Sequence, residues 1–280
     1  MRNFKKQRTR IVSVLILIIV GFWCLGPLVW VGITSIKPQG TEYRMPVEYW
    51  PENPTLDNYR TVLGPRFRIQ RSILNSLIVS FGALVIGLTI ATMSAYAISR
   101  LRFKYRYHTL LFTQIGGMLP PIMVIAPIFV MLRAVGLLQT HWAMIIPNAV
   151  FDLPLATWLI AGYMANLPYE LEEAAKLDGC GTLRTIISVI VPVAAPGMFS
   201  AGIIGFLGTW GEFMLAMTVS MGRPGLEVVP VTILSLSRMF ELQWAWVAAG
   251  TILSLLPIIF LVVIFQRVIV TGLTAGSTTS

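Results

Sequence analysis

The sequence has very little charge. Only 12% of its 280 residues are Asp, Glu, Lys or Arg, whereas 56% are hydrophobic and the mean hydropathy is +0.76. Soluble domains carry about 25% charged residues, so this chain has too few polar residues to cover an exterior in water. The composition excludes a soluble globular domain and predicts a polytopic membrane protein, whose apolar surface is covered by lipid.

Cysteine and histidine are also scarce. Cys24 lies in an apolar run and Cys180 in a polar connector, so no disulfide framework is indicated. His108 and His141 are not paired at a ligand spacing, so no metal site is predicted. The chain also lacks a phosphate-binding G-x-x-x-x-G-K-[ST] loop, an H-E-x-x-H and a G-x-S-x-G string, so no catalytic residue is predicted. If ATP drives this protein, another chain must bind it.

The net charge of +9 does not indicate nucleic-acid binding, because many of the basic residues are concentrated beside apolar runs. Two short patches stand out. They comprise Arg2, Lys5, Lys6, Arg8 and Arg10, and then Arg100, Arg102, Lys104 and Arg106. Such patches are typical of orientation signals at a membrane surface. Both patches are therefore expected on the cytoplasmic side.

Charge-poor segments of the length needed to cross a bilayer recur six times. The predicted spans are 11–33, 72–99, 109–132, 142–165, 196–219 and 243–266. The first is too long for the core of a signal peptide and is expected to remain uncleaved. Six spans place both termini on the cytoplasmic side, with an external loop over 34–71 and a cytoplasmic segment over 166–195. The prediction is one all-α transmembrane domain over 1–280.

The connector over 166–195 is unusually acidic, and its pattern predicts a helix, a tight turn and a second helix. Asn166 provides a start signal, and Glu170, Glu172 and Glu173 suit the positive end of a helix dipole. Asp178-Gly179 is expected to end the helix, because glycine readily adopts the left-handed cap conformation. Thr182 is expected to begin the next helix, which Pro192 and Pro196 should interrupt.

The first connector helix offers a small apolar face. Leu171, Ala174, Ala175 and Asp178 recur at the helical spacing, and their small size permits close approach of another surface. A short helix of this kind suits docking into a groove of a partner protein. It equally suits an interfacial helix that packs against its own bundle, and the residues alone leave both open.

Two carboxylates lie well inside predicted spans. An ionisable group in lipid is costly, so Asp152 and Glu212 should face the bundle interior or a wet cavity. They are candidates for lining a substrate pathway, with polar contacts between helices as the alternative.

The string Glu172–Gly179, followed by Ile190-Val191-Pro192 and Pro196, resembles the EAA motif of ABC-importer permease subunits. Other strings resemble the carbohydrate branch, specifically its maltose-type second permease. They are Pro54-Thr55-Leu56-Asp57-Asn58-Tyr59, Asn75-Ser76-Leu77-Ile78-Val79, Ala95-Tyr96-Ala97 with Arg100-Leu101, Trp210-Gly211-Glu212-Phe213, and Gln266-Arg267 through Val270–Gly276. The resemblance covers nearly the whole chain.

The resemblance implies a type I importer permease of a bacterial inner membrane. The connector helix would be the cytoplasmic coupling helix that sits in a cleft of the ATP-hydrolysing subunit. The coupling residues implied are Glu170, Glu173, Ala174, Ala175, Asp178 and Gly179, and Asp152, Trp210 and Glu212 are the candidates for the substrate pathway. The expected partners are a second homologous permease, two ATP-binding subunits and an external binding protein or lipoprotein. No cofactor is expected on this chain, because ATP and Mg would be held by the partner ATPase.

Some residues depart from the family pattern. Gly211 stands where the family usually has Asn, which removes one polar contact near Glu212, and Val191 replaces a more usual Leu. Three alternatives remain open at this point. They are a secondary transporter driven by an ion gradient, a membrane scaffold subunit without a pathway, and a permease of the same family for glycerol-3-phosphate or a polyol.

Overall fold

The protein is almost entirely α-helical. In a computed structural model the described residues are 2–43, 45–220, 225–237 and 243–275, with side chains described over 12–266 within those ranges. These residues form helices, turns and irregular segments but no β-strand, which confirms the predicted all-α class. The side chains of the N-terminal basic patch and of 267–275, and the whole of Gly276, lie outside this description.

Twelve α-helices are defined within the described residues. They are α1 (Arg2–Ser35), α2 (Asp57–Leu63), α3 (Ile69–Arg100), α4 (Arg106–Gly117), α5 (Pro121–Ala134), α6 (Trp142–Ala165), α7 (Glu170–Leu177), α8 (Thr182–Thr185), α9 (Val191–Gly211), α10 (Met214–Ser220), α11 (Val229–Ser237) and α12 (Trp244–Ala275). Five of the described stretches are long and apolar enough to cross a membrane, and the bent pair α4 and α5 makes a sixth if counted as one span. The five are Val12–Ser35, Ile69–Arg100, Trp142–Ala165, Thr182–Gly211 and Trp244–Gln266.

Two compact units divide the chain, the first formed by 1–70 with 232–258. In it the short helix α2 ends at Leu63, just before Gly64. The hydroxyl of Thr55 accepts a bond from the Asp57 backbone N–H at 3.1 Å. The buried amide of Asn58 donates to the carbonyls of Ser35 and Lys37 at 2.9 and 2.8 Å. Asn58 thereby fastens α2 to the end of α1.

The second unit, 71–231 with 259–280, contains the tightly packed helices. Its α6 lies along α9, and small residues set the spacing. Between α9 and α6, a Cβ atom added to Gly197 would lie 2.6 Å from the Tyr163 ring. Between α4 and α6, a Cβ atom added to Gly117 would lie 2.7 Å from Pro154. A larger side chain at either position would force the helices apart. A cluster of buried residues that includes Ile160, Met164 and Ile190 fills the space between these helices.

The predicted span over 109–132 is not one continuous helix. It is divided into α4 and α5, which meet at an angle of 92°. Pro120 and Pro121 explain the break, because a proline disfavours the helical conformation of the residue before it, and Pro121 lies in the first turn of α5. The charge pattern showed the apolar length but not this change of direction.

The prolines expected to interrupt the second connector helix do not do so. The chain is helical from Thr182 to Gly211, with a π-helical turn over Ile186–Ile190 just before Pro192. This π-helical turn lies just before Pro192, which has no N–H and therefore cannot donate the backbone hydrogen bond that a regular α-helix would have there. The break comes later, at Glu212 and Phe213, so the predicted span over 196–219 is divided between α9 and α10.

Candidate functional site

The acidic connector helix α7 has a well-defined end, as predicted. Gly179 takes the left-handed conformation with φ of +78°. Its N–H donates to the carbonyl of Lys176 at 3.0 Å, and the N–H of Cys180 donates to the carbonyl of Ala175 at 2.9 Å. This pair of bonds is the Schellman arrangement that satisfies the last carbonyls of a helix. The turn therefore holds the two connector helices in one relative direction.

The start of α7 differs from the prediction. Asn166 does not begin the helix, because its side chain donates to the carbonyl of Gly162 at 3.0 Å and it closes α6 instead. Tyr169 occupies the position before α7 and makes no side-chain capping bond. The carboxylates of the first turn remain favourably placed at the positive end of the helix dipole.

A buried ion pair joins α7 to the end of α3. The guanidinium of Arg100 lies 3.3 Å from the carboxylate of Glu172, and the Arg100 side chain is fully buried. The Tyr96 hydroxyl donates to the same carboxylate at 3.1 Å. Arg100 also donates to the carbonyl of Leu167 at 2.8 Å and lies 4.5 Å from the centre of the Tyr169 ring. These contacts, here called the Arg100–Glu172 clamp, fasten the connector helix to the end of a candidate span.

Sequence reasoning missed both charged residues of the clamp. The charge pattern places Arg100 in an orientation signal, and the predicted coupling residues do not include Glu172. The sequence shows only that Arg100 ends a charge-free run and that Glu172 is one of three glutamates near the start of the predicted helix. Neither signal shows that the two residues meet, because Arg100 and Glu172 are 72 positions apart in the sequence.

The rest of α7 presents an exposed face. Glu170, Glu173, Ala174 and Asp178 are exposed, and the side chain of Leu177 is 89% exposed. Within the predicted face of Leu171, Ala174, Ala175 and Asp178, Ala175 is buried with 5% exposure, whereas Ala174 and Asp178 are exposed. Ala175 packs inward beside Glu172. Leu177, which is not among the predicted coupling residues, adds an apolar group to the outer face of α7.

Two of the three pathway candidates have structural contacts in the second unit. Asp152 accepts a bond from the Thr209 hydroxyl at 3.2 Å. Its carboxylate also lies 3.1 Å from the position that a Cβ atom on Gly205 would take. Glu212 accepts from the backbone N–H groups of Leu215 and Ala216 at 2.7 and 3.0 Å. It therefore caps the start of α10, since those groups have no partner within the helix.

Trp210, the third candidate, is packed into the core. It is 6% exposed, and its ring stacks on Phe206 with centroids 5.8 Å apart. A void of about 10 Å³ lies near Glu212, Asn148, Thr209 and Ser76, which is room for about one water molecule. The three residues therefore do not meet in one open site within the described residues.

Comparison with known proteins identifies the family. A family model described as "Binding-protein-dependent transport system inner membrane component" matches residues 83–274.

The chain belongs to this family.

Relatives that match nearly the whole chain are also transport permeases. The chain is 32% identical over 273 residues to the sulfoquinovosyl glycerol transport system permease of Agrobacterium fabrum, covering 98% of this chain and 94% of that protein. It is 35% identical over 268 residues to the trehalose transport system permease of Mycobacterium tuberculosis, covering 95% and 96%. In fold it is similar to a chain of a bacterial ABC transporter that imports alginate, with a TM-score of 0.74 at 20% identity, covering 94% and 97%.

Membership of the inner membrane component family confirms the resemblance drawn from the EAA string and makes the chain a multi-pass membrane transport component rather than an enzyme. Gly211, which stands where the family usually has Asn, is not required by the packing of the helices. A Cβ atom at this position would meet nothing within 4 Å.

Proposed function

We propose that this chain is one of two permease subunits of an ATP-driven importer of a sugar or oligosaccharide in a bacterial inner membrane. Relatives named as permeases for trehalose, maltose and galactooligosaccharides support the substrate class. The whole chain then acts as one permease domain and forms half of the translocation pathway. In this proposal both termini and α7 lie on the cytoplasmic side, which the two basic patches and the number of spans support.

In this proposal α7 couples the ATPase to the membrane spans. The observation that carries it is the Arg100–Glu172 clamp, which fixes the inner face of α7 to α3 and leaves Glu170, Glu173, Ala174, Leu177 and Asp178 exposed. A helix held in this way transmits a displacement at its outer face to the end of α3. A flexible connector would absorb the same displacement.

The energy for transport comes from the partner subunits. ATP and Mg bind to two ATP-binding chains, and nucleotide binding shifts the spans between outward- and inward-open states because it favours one state over the other. An external binding protein delivers the sugar. This chain binds no cofactor, and its role is to provide the pathway and the coupling surface.

The test is isolation of the intact assembly. The tagged chain is extracted from its native membrane in a mild detergent, and the retained proteins are identified by mass spectrometry. We expect a second six-span protein and an ATP-binding subunit in comparable amounts. Recovery of the chain alone or as a homodimer would contradict the proposal and favour a carrier driven by an ion gradient.

A further inference from the structure

A cavity of about 420 Å³ lies where α3 and α6 end and α4 begins, beside the start of α7. Its lining includes Arg106, Tyr107, Leu110, Trp158, Gly162 and Tyr169. The described lining residues include no acidic residue. The cavity volume is in the range of small-molecule sites.

The cavity is polar at one end and apolar at the other. Arg106 is the first residue of α4, and Leu110 lies one turn further along the helix, about 6 Å away. On the facing side Ala165 is the last residue of α6, and Trp158 lies two turns back, about 10 Å away. Because α6 is a candidate span, the Arg106 end lies at the membrane surface and the Trp158 end lies deeper. The shape suits an amphiphile with its head at Arg106.

Charge at the polar end favours an anion. Arg102, Lys104 and Arg106 are exposed and form no ion pair with any described residue. The N-terminus of α4 adds to this field, because its first turn has no acidic residue and Tyr105 makes no side-chain capping bond. The arginine in the cavity and the open helix start therefore attract negative charge to the same place.

The apolar end provides room for an acyl chain. Trp158 is 53% exposed, and Gly162 leaves open space, because an added Cβ atom there would meet nothing within 4 Å. Tyr107 and Tyr169 are 64% and 55% exposed near the polar end, which suits aromatic residues at a membrane interface.

We propose that this cavity is a binding site for an anionic phospholipid, with the phosphate at Arg106 and an acyl chain along Leu110 and Trp158. Basic pockets between membrane helices are a known setting for anionic headgroups. The site adjoins the coupling segment, because Tyr169 lines the cavity and also lies against Arg100 of the clamp. The proposal requires neither a sugar substrate nor an ATPase partner.

The experiment measures tryptophan fluorescence of the full chain in phosphatidylcholine vesicles that contain increasing fractions of phosphatidylglycerol brominated on its acyl chains. The difference between the wild type and Trp158→Phe isolates the quenching of Trp158. We expect brominated phosphatidylglycerol to quench this component at a lower mole fraction than brominated phosphatidylcholine. Equal quenching by the two lipids would overturn the proposal.

Two variants and a control locate the site. Arg106→Gln should raise the half-saturating fraction of phosphatidylglycerol about fivefold, the ratio that corresponds to the typical contribution of one basic residue near a lipid surface. Gly162→Leu should weaken binding by filling the cavity while retaining the charge. Arg102→Gln removes an arginine of the same patch that does not line the cavity, and it should change the fraction less than Arg106→Gln does. If Arg102→Gln and Arg106→Gln have equal effects, the positive charge of the whole patch attracts the lipid, and the proposed site is wrong.

A competition experiment distinguishes a lipid from a soluble anion. Glycerol phosphate is added in millimolar amounts to the vesicles with bound brominated phosphatidylglycerol. Persistence of the Trp158 quenching supports a lipid held by both head and chain. Displacement by glycerol phosphate would show a site for a soluble phosphate, and the lipid assignment would be wrong.

Discussion

Arg100 and Glu172 form an ion pair of 3.3 Å with both side chains removed from solvent, Arg100 completely and Glu172 to 9% exposure. One residue ends a candidate span and the other belongs to the first turn of the connector helix. The carboxylate also receives the Tyr96 hydroxyl at 3.1 Å. Removal of one partner from such a pair leaves a buried charge without compensation, which is costly.

The first prediction concerns Glu172→Gln. We expect it to destabilise the docking of α7 on α3 by about 3–5 kcal/mol, because it leaves the Arg100 charge buried without its counter-ion. The measurement is the thermal unfolding temperature of the detergent-solubilised chain, together with the amount of ATPase it retains. Glu170→Gln is the matched control, since Glu170 lies in the same turn but is exposed. If both variants unfold at the wild-type temperature, the clamp does not stabilise α7.

The second prediction concerns the turn after α7. Gly179→Pro should prevent retention of the ATPase while the chain still inserts, because proline requires φ near −65° and Gly179 has φ of +78°. Pull-down of the ATP-binding subunit measures the effect. Gly181→Ala is the control, because a Cβ atom there meets nothing within 4 Å and its φ is −71°. Normal assembly and normal uptake by Gly179→Pro would contradict a coupling role for this turn.

The third prediction tests the exposed face of α7 by charge and by apolar area. Glu173→Lys and Leu177→Ser should each weaken ATPase binding, the second by about tenfold if Leu177 becomes buried on docking. Both side chains are exposed, so the unfolding temperature of the chain alone should not change. Leu101→Ser, an exposed leucine outside α7, is the control. Unchanged ATPase affinity in both α7 variants would mean that the partner binds elsewhere.

The fourth prediction compares two glycines of α9. Gly211→Asn should leave the free energy of unfolding within about 0.5 kcal/mol of wild type, because a Cβ atom there meets no neighbour. Gly197→Ala should cost about 1–3 kcal/mol, because its Cβ would lie 2.6 Å from the Tyr163 ring. Thermal unfolding of the purified chains measures both. Similar losses in the two variants would show that the spacing of α6 and α9 is not set at Gly197.

Much of the fold was accessible from the sequence, because its signals are local. The low charge predicted membrane spans, and Asp178-Gly179 predicted the end of α7. In each case the residues that decide the structure are neighbours in the chain. Proline was less informative, since Pro120 and Pro121 mark a bend of 92° whereas Pro192 and Pro196 lie within a continuous helical stretch.

Local patterns in the sequence predict that the chain crosses a membrane as helices and that it has an acidic connector helix ending at Gly179. Composition, spacing and turn residues are sufficient for those conclusions. Packing between helices decides that Glu172 and Ala175 face inward and that Leu177 faces outward. The inward face of α7 depends on where Arg100 and Tyr96 of α3 lie, because burial of the Glu172 carboxylate requires a counter-ion and a donor from another helix.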